Sequence, residues 1–310
     1  MKKLVPALVV SSLLLSSIAY ATEQVDAKSE LTVVGNSLIA QEIQNLKGDN
    51  APDWLKRTDI GFSFQTNGKP VYSVETVQPI GKQSDRITNF TQFRFGNDLS
   101  AGTVANIGFG HRVLSLDKSS MFGMNAFYDH GFRYGHERVG GGLEFFQGRN
   151  EYRANVYHAL SREKEVDRTN HIFEKALSGY DYSIGTSFAN APWAKLYLKG
   201  FHWDYTYSDD ADGYKVYTQL QVTPRFNLEL GYWDDNKGPG EKYGKLMYSL
   251  GSKGPAMFEH NKPVFRNEDA RVTVESKKLD KVQRENDIRV ERYQKVTTST
   301  GTVTISITRI

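Results

Sequence analysis

The chain has 310 residues, no cysteine, and a formal net charge of +3 from 39 basic and 36 acidic residues. The lack of cysteine excludes a disulfide framework and a thiolate metal site. Because the two signs of charge are matched along the chain, we also exclude a nucleic-acid partner. Mean hydropathy is −0.53, which argues against a helical membrane protein but not against a β-barrel, where only alternate residues need be apolar.

Residues 1–21 have the pattern of a secretory signal peptide. Two lysines precede an apolar stretch over residues 4–18, and Ala19-Tyr20-Ala21 forms a small-residue cleavage site. An uncleaved anchor helix is the alternative. Cleavage removes both lysines, so the formal net charge of the mature chain falls from +3 to +1. Residues 22–57 are polar and too few for a substantial independent core, and we predict a periplasmic lead-in there.

Residues 58–250 repeat one unit about twelve times, with roughly ten residues of alternating polarity closed by a polar or Gly/Pro turn. Successive side chains of a strand point to opposite faces, so the apolar and charged sets of each unit separate. The pattern predicts an all-β membrane protein, a twelve-stranded antiparallel transmembrane β-barrel. The predicted strands are 58–66, 70–78, 86–95, 102–114, 119–132, 135–147, 150–160, 178–190, 194–206, 213–222, 226–234 and 241–250.

The lengths of the connections predict the orientation of the barrel. In a single-chain barrel with both ends in the periplasm, the odd-numbered connections face outside and are the longer ones. The longest connection, residues 161–177, is the seventh, whereas the short connections 147–150 and 223–225 are even-numbered. We therefore expect residues 161–177 to form an exposed external loop.

Alternation assigns ten charged residues to the inner face of the barrel. A lysine or arginine on the lipid face near the midplane would cost about 2–4 kcal/mol, which supports the assignment. These residues are Glu75, Arg94, Arg112, Arg138, Glu144, Glu151, Arg153, Lys199, Lys215 and Glu229. Aromatic residues near strand ends are predicted to form interfacial girdles, namely Tyr128, Tyr134, Tyr180, Tyr182, Phe188, Trp193, Tyr205, Tyr207, Tyr232 and Trp233.

The pattern changes after residue 250. A Gly/Pro stretch over 251–255 ends the last strand, and residues 271–295 are rich in both signs of charge. The tail, residues 296–310, alternates threonine with apolar residues. It has the pattern of one strand, and a single strand cannot fold alone.

Two stretches carry the resemblance to a known family. The first has Met124 to Asp129 (MNAFYD), then Gly135-His136-Glu137-Arg138, then Leu143-Glu144-Phe145. The second, residues 279–295, has Val-x-Arg-x-Asn followed by a hydrophobic-Glu-x-x-x-Lys ending. Both are similar to the barrel and linker of the intimin and invasin family, the inverse autotransporters. The motif residues are Asn125, Phe127, Tyr128, Asp129, Gly135, His136 and Arg138.

The resemblance implies an outer-membrane barrel of a Gram-negative bacterium whose C-terminal linker, 251–295, threads the lumen as a helix or extended segment. Family members display immunoglobulin-like and lectin-like passengers that adhere to host cells. The implied partners are outer-membrane lipid, the barrel-assembly machinery, periplasmic chaperones, and a host-cell surface or a separately encoded passenger. In this sequence about fifteen residues, 296–310, follow the linker, and we expect a short surface tail or passenger remnant.

Threading would pair charges of the linker with charges of the lumen. In a confined, partly desolvated lumen such charge-assisted bonds exceed the weak contribution of exposed pairs. A solvated periplasmic helix is the alternative for so charged a segment. The residues predicted to make these contacts are Glu75, Arg94, Arg112, Arg138, Glu144, Arg153, Lys215, Glu229, Arg284, Asn286 and Glu291.

Three function classes follow from the sequence. The favoured one is a translocator that exports or displays its C-terminal segment, and the alternative is a plugged channel or structural barrel. An enzyme is disfavoured because the chain has no G-x-S-x-G or H-E-x-x-H pattern and its histidines lie singly on different strands. We expect no catalytic residue, cofactor or metal.

Overall fold

The computed structural model describes residues 52–65, 70–82, 84–98, 100–267, 273–298 and 301–307. The predicted signal peptide and residues 22–51 of the predicted lead-in lie outside the described residues. The described chain starts with a short helix, α1 (Asp53–Lys56). No helix in these ranges has the length and apolar character needed to cross a membrane.

Sixteen strands make up most of the described chain. In chain order they are β1 (Thr58–Gln65), β2 (Val71–Pro79), β3 (Ile87–Asp98), β4 (Gly102–Leu114), β5 (Ser120–Gly131), β6 (His136–Gln147), β7 (Asn150–Ala159), β8 (Lys164–Asp167), β9 (Ile172–Ala176), β10 (Ser178–Phe188), β11 (Ala191–Asp204), β12 (Ala211–Gln221), β13 (Phe226–Asp235), β14 (Gly238–Ser249), β15 (Val290–Thr298) and β16 (Gly301–Ile307).

Twelve of these strands close into one barrel. Strands β1–β7 and β10–β14 pair antiparallel with their neighbours, and β1 pairs with β14 to complete the ring. The predicted twelve-stranded antiparallel barrel is therefore confirmed, and each predicted strand end lies within three residues of the observed one. A closed barrel leaves no unpaired edge within its wall.

Side chains alternate across the wall as the sequence predicts. In β7, Glu151, Arg153 and Asn155 are buried, whereas Tyr152 and Val156, which have the other parity, are exposed on the outer face. The two faces differ in polarity because only the inner face offers polar partners. The charged side chains therefore lie on the inner face.

Some of the predicted girdle aromatics lie elsewhere. Tyr180 and Tyr182 are exposed on the outer face, but Trp233 and Tyr205 pack against a buried cluster that contains Trp203. The prediction was wrong for these two because position near a strand end does not reveal which face a side chain occupies. Trp233 is the register partner of the luminal Lys215, and directly paired residues share a face.

The two ends of the barrel differ in their connections. We call the end with the β6–β7 turn at residues 148–149 the turn end, and the opposite end, with the connection 160–177, the loop end. Residues 250–267 follow β14 at the turn end. There Met257 N donates to Gln221 O at 2.7 Å and Arg266 N to Asn190 O at 3.0 Å.

A second sheet contains β8, β9, β15 and β16. Its strand order is β16-β15-β9-β8, with antiparallel pairs throughout. Strands β8 and β9 lie within the connection at residues 160–177, which the sequence predicts to be an external loop without strands. The tail strand β16 is thus one member of a sheet, which supplies the partners that a lone strand lacks.

Two glycines of β4 make room for aromatic side chains inside the barrel. A Cβ at Gly108 would lie 2.3 Å from the Phe127 ring, and one at Gly110 would lie 2.1 Å from the Phe90 ring. Phe90 and Phe127 belong to one buried cluster. The interior is therefore packed with side chains at this level, because glycine lets large rings lie flat against the wall.

We predict that Gly108→Val destabilises the barrel by about 1–3 kcal/mol, since the added methyl groups overlap the Phe127 ring. Ala126→Val is the matched control, because Ala126 lies on the adjacent strand with its side chain exposed on the outer face. Urea unfolding in detergent micelles measures both changes. Equal unfolding midpoints for the two variants would contradict the packing described here.

Candidate functional site

The segment after β14 crosses the lumen from the turn end to the loop end. At the turn end, Lys118 Nζ lies 2.8 Å from Glu275 Oε2. At the loop end, Ser100 N donates to Asp287 Oδ2 at 3.3 Å. Between these points the chain forms one short 3-10 helix (Glu275–Leu279) and then an irregular stretch up to β15. We call residues 275–289 the luminal segment.

Arg112 of β4 holds the start of the luminal segment. Its Nη1 donates to the carbonyl oxygens of Lys277, Lys278 and Asp280 at 3.3, 3.1 and 2.6 Å. Its Nε and Nη2 donate to Glu144 Oε2 at 3.1 and 2.8 Å. The last carbonyls of a short helix lack full pairing within the helix. Lys277 O also accepts from Asp280 N at 3.0 Å, and the guanidinium gives Lys278 O and Asp280 O a donor.

Asp129 of β5 is fully buried and lies two residues from the loop end of its strand. Its carboxylate accepts hydrogen bonds from Arg284 Nη1 and Nη2 at 2.8 and 2.7 Å. Arg138 Nε of β6 donates to it at 2.9 Å, and Asn106 Nδ2 of β4 at 2.8 Å. A bidentate arginine–carboxylate pair combines charge with a fixed geometry, so Arg284 has one defined position along the lumen.

Further wall residues bind the backbone of the luminal segment. Gln92 Oε1 accepts from Val282 N at 2.8 Å, and Asn155 Nδ2 donates to Gln283 O at 3.2 Å. Further along, Arg138 Nη2 donates to Glu285 O at 2.8 Å, and Asn106 Nδ2 to Asn286 O at 3.0 Å. Because this stretch forms no regular element, wall side chains supply the hydrogen bonds that its buried backbone groups require.

Three apolar side chains anchor the chain at different heights. Val274 packs with Leu114, Met121 and Phe146, Val282 with Val77, Phe90 and Phe127, and Ile288 with Ala101, Val104 and Ala176. Val274 and Ile288 are fully buried, and Val282 is 2% exposed. Sequence reasoning missed these anchors because it considered only the charges. The available signal was a few isolated β-branched residues in an otherwise charged stretch.

Charged side chains of the luminal segment meet the wall at other points. Lys215 Nζ lies 3.7 Å from Glu285 Oε2, and Lys277 Nζ lies 2.9 Å from Glu151 Oε1. Arg289 lies over the aromatic rings of Phe201 and Trp203 at 5.1 and 5.3 Å. A guanidinium over an aromatic face is stabilised by the ring quadrupole.

The remaining predicted residues of the wall bond to other residues of the wall. Gln92 Nε2 donates to Glu75 at 2.7 Å, and Arg94 donates to Asn106 at 3.2 Å. Arg153 donates to Glu151 at 2.6 Å. Glu229 accepts hydrogen bonds from Gln219 at 2.8 Å and from Tyr243 at 2.9 Å. Several of these partners, Gln92, Asn106 and Glu151, themselves contact the luminal segment. This second layer holds the contacting side chains in place.

The motif residues divide between the two faces of the wall. Asn125, Phe127, His136 and Arg138 are buried, with the Phe127 ring 4.4 Å from the Arg284 guanidinium carbon. Tyr128 faces outward and its hydroxyl donates to Glu137 Oε1 at 2.6 Å. Gly135, with φ of +69°, forms the turn before β6. A positive φ is readily adopted by glycine, which explains the residue type there.

The chain leaves the lumen at the loop end as β15. There Glu291, a predicted luminal contact, accepts hydrogen bonds from Thr206 N at 2.8 Å and Tyr207 N at 2.9 Å. Arg292 pairs with the buried Glu174 of β9, and His136 Nε2 lies 3.2 Å from the same carboxylate. Glu291 therefore lies beyond the lumen, in the sheet at the loop end.

Two carboxyl groups in this sheet have shifted pKa values. Hydrogen bonds from Lys295, which has the larger effect, and from Tyr293 hold the pKa of Glu163 below its ordinary 4.5. For Glu174, burial acts to raise the pKa, but hydrogen bonds from His136 and Arg292 outweigh it and the pKa is lowered. A carboxyl group with a lowered pKa stabilises the folded arrangement above its ordinary pKa and loses that effect as the pH falls.

The comparisons with known proteins agree with the barrel. The family described as inverse autotransporter, beta-domain, matches residues 11–286. A solved chain titled "Unveiling the Mechanism Behind the in-meso Crystallization of Membrane Proteins" is 16% identical, with a TM-score of 0.62, 76% of this chain covered and 99% of that chain. At this identity the likeness shows the fold alone. No curated protein matches the sequence.

Two other solved barrels are more distant. Outer membrane phospholipase A from Escherichia coli is 11% identical with a TM-score of 0.43, covering 67% of this chain and 97% of that chain. The KdgM porin is 6% identical with a TM-score of 0.40, covering 62% and 98%. At these scores neither protein informs the activity of this chain.

We predict that Asp129→Asn strongly destabilises the threaded barrel. The change leaves the buried guanidiniums of Arg138 and Arg284 without their carboxylate, and breaking a buried pair costs about 3–5 kcal/mol. Glu275→Gln is the control, because its partner Lys118 and Glu275 itself are exposed, and exposed pairs contribute little. Urea unfolding measures both variants, and an Asp129→Asn barrel as stable as the control would contradict this account.

We predict that acid loosens the pairing of β15 with β9. Protonation of Glu163 and Glu174 as the pH falls below about 4.5 removes their hydrogen bonds to Lys295 and Arg292. Hydrogen exchange of the β15 amides, corrected for the intrinsic pH dependence of exchange, should lose protection as the pH falls from about 5 to below 4.5. In Glu163→Gln the loss should be smaller, and a pH dependence equal to that of the parent protein would refute the role of Glu163.

Proposed function

The chain belongs to the inverse autotransporter β-domain family, and we propose that it displays the segment following its luminal segment on the cell surface. The family and the closed barrel make it an outer-membrane barrel. It acts as a translocator, a conduit and anchor for its own C-terminal chain, and we expect no enzymatic activity.

The observation that carries the proposal is the path of the luminal segment. The chain enters at Glu275 beside the turn-end residue Lys118 and reaches Ser100 at the loop end by Asp287. A fixed plug could enter and leave at the same end, whereas this path leads to β15 and β16 at the opposite end. With the short turns in the periplasm, as in barrels of this class, β15 and β16 lie outside the cell.

The chemistry of the lumen also supports conduction of a polypeptide. Arg112, Gln92 and Asn155 bind backbone groups of the luminal segment rather than its side chains. Backbone groups are the same in every residue other than proline. A wall that binds them can satisfy a succession of different segments as they pass, while a wall built for particular side chains would hold only one.

A plugged channel or structural barrel is the second candidate function. The burial of Val274, Val282 and Ile288 favours it, since these side chains fill the interior at several heights. The two candidates differ in whether the tail lies outside. Adhesion to a host-cell surface, a separately encoded passenger, and the assembly machinery and chaperones as partners remain expectations from the family.

We predict that a cysteine in β16 reacts with a membrane-impermeant maleimide on intact cells. The chain has no cysteine of its own, so Ile305→Cys, at an exposed position, provides one reactive site. Thr169→Cys, exposed in the β8–β9 turn, is the control for the loop end. Leu116→Cys, exposed in the β4–β5 turn, is the control for the turn end.

The expected result is labelling of positions 305 and 169 on intact cells and of position 116 only after permeabilisation. Labelling of position 305 only after permeabilisation, with position 169 labelled on intact cells, would reject display. Labelling of position 116 alone on intact cells would reverse the orientation assigned to the barrel.

A further inference from the structure

The β8–β9 hairpin pairs with the chain at the point where it leaves the lumen. Strand β9 pairs antiparallel with β15 from Val290, opposite Ala176, to Gln294, opposite Ile172. The ladder continues at both ends, where Leu177 N donates to Arg289 O at 2.9 Å and Lys295 N donates to His171 O at 3.1 Å. The hairpin thus gives the emerging chain hydrogen-bonded pairing from residue 289 to residue 295.

A buried carboxylate in this hairpin receives one side chain of β15. Glu174 is fully buried at the mouth of the barrel, where His136 of β6 contacts it at 3.2 Å and Arg292 of β15 pairs with it. A buried carboxylate needs a charged or hydrogen-bonding partner. His136 fastens the hairpin to the barrel wall, and Arg292 supplies the positive charge that the site requires.

Neighbouring side chains of β15 have their own partners. The Tyr293 ring stacks on Phe173 of β9, with centroids 5.9 Å apart and planes at 14°, and lies 4.2 Å from the Tyr207 ring. Glu163, just before β8, accepts hydrogen bonds from the Tyr293 hydroxyl and, at 2.5 Å, from Lys295 Nζ. The loop end therefore binds particular side chains, whereas much of the lumen binds backbone.

We propose that the β8–β9 hairpin is a strand acceptor, which captures β15 by strand addition as it emerges and keeps the exported chain outside. The proposal rests on the display function above and names the site that retains the displayed chain. Strand addition combines main-chain hydrogen bonds, which give affinity, with side-chain pockets, which give specificity. His136 is a positioning residue in this scheme, because it acts on β15 through Glu174.

Capture at this hairpin opposes backsliding. Withdrawal of β15 breaks the ladder to β9 and leaves Glu174 buried without Arg292. It also removes the edge on which β16 pairs, from Arg292 opposite Ile307 to Thr298 opposite Gly301. One captured strand therefore orders the next, and the sheet grows outward from the hairpin.

The test uses the full-length protein on intact cells, with a dye attached to Ile305→Cys. Trypsin added outside releases the dye when it cuts β15 after Arg292 or Lys295, and residues 296–305 contain no further lysine or arginine. We predict that Glu174→Gln speeds dye release about tenfold or more, since cleavage tracks the open population and a hydrogen bond to a charged group is lost. Glu165→Gln, an exposed β8 carboxylate that faces His171, should leave the rate unchanged.

His136 is tested in the same assay. His136→Ala should speed dye release, and His136→Gln, which can still donate to Glu174, should restore much of the protection. Urea unfolding of the barrel should not distinguish the two variants. Equal release rates for His136→Ala and the parent protein would overturn the positioning role.

A cross-link separates loss of capture from loss of folding. Phe173 and Tyr293 are register partners, so cysteines at these positions should form a disulfide that replaces the missing contact. In a Glu174→Gln background this disulfide should restore protection, and continued rapid release would overturn the acceptor role. If position 305 is not labelled on intact cells, display itself fails. If it is labelled but Glu174→Gln releases dye at the parental rate, only the acceptor fails.

Discussion

The arrangement of the lumen depends on the buried carboxylate of Asp129. Arg138 of the wall and Arg284 of the luminal segment both donate to it, and all three groups are removed from water. Desolvation of such groups is offset only by good geometry and additional hydrogen bonds, which Asn106 and the bidentate Arg284 provide. The buried charges of the wall and of the luminal segment therefore neutralise one another, and removing either part would leave buried charge without its partner.

The position of Arg284 fixes the rest of the threaded chain. Val282, two residues before it, reaches the apolar cluster of Phe90 and Phe127, and Ile288, four residues after it, reaches that of Ala101 and Val104. A shift by one residue would remove both side chains from their clusters and Arg284 from Asp129. Each of these contacts would lose its stabilising free energy if the chain moved along the lumen, so neighbouring registers are unfavourable. The final register is therefore well defined, although many of the luminal contacts are to backbone groups.

The sequence predicted the barrel well because its signal is local. Alternation with period two reveals both the strand and the face of each residue, so Glu151 and Arg153 were assigned to the lumen correctly. Isolated anchors such as Val282 have no period to reveal them. The pairing of β15 with β9 joins residues more than a hundred positions apart, and no local pattern encodes it. Alternation in the tail predicted a strand where β16 lies but not its partner, and the four-residue β8 was not predicted at all.

The two kinds of contact together set a direction of movement for an exported chain. Backbone contacts with residues such as Gln92 and Asn155 differ little from one passing segment to the next, so they stabilise no particular segment in the lumen. Side-chain contacts with Glu174 and Glu163 exist only at the loop end and only for β15. A ligand shifts an equilibrium only by its differential affinity for the two states, and the hairpin binds β15 in the exported state alone. The free energy for holding the chain outside is then supplied by residues 290–295 together with the register contacts of Arg284, Val282 and Ile288 in the lumen.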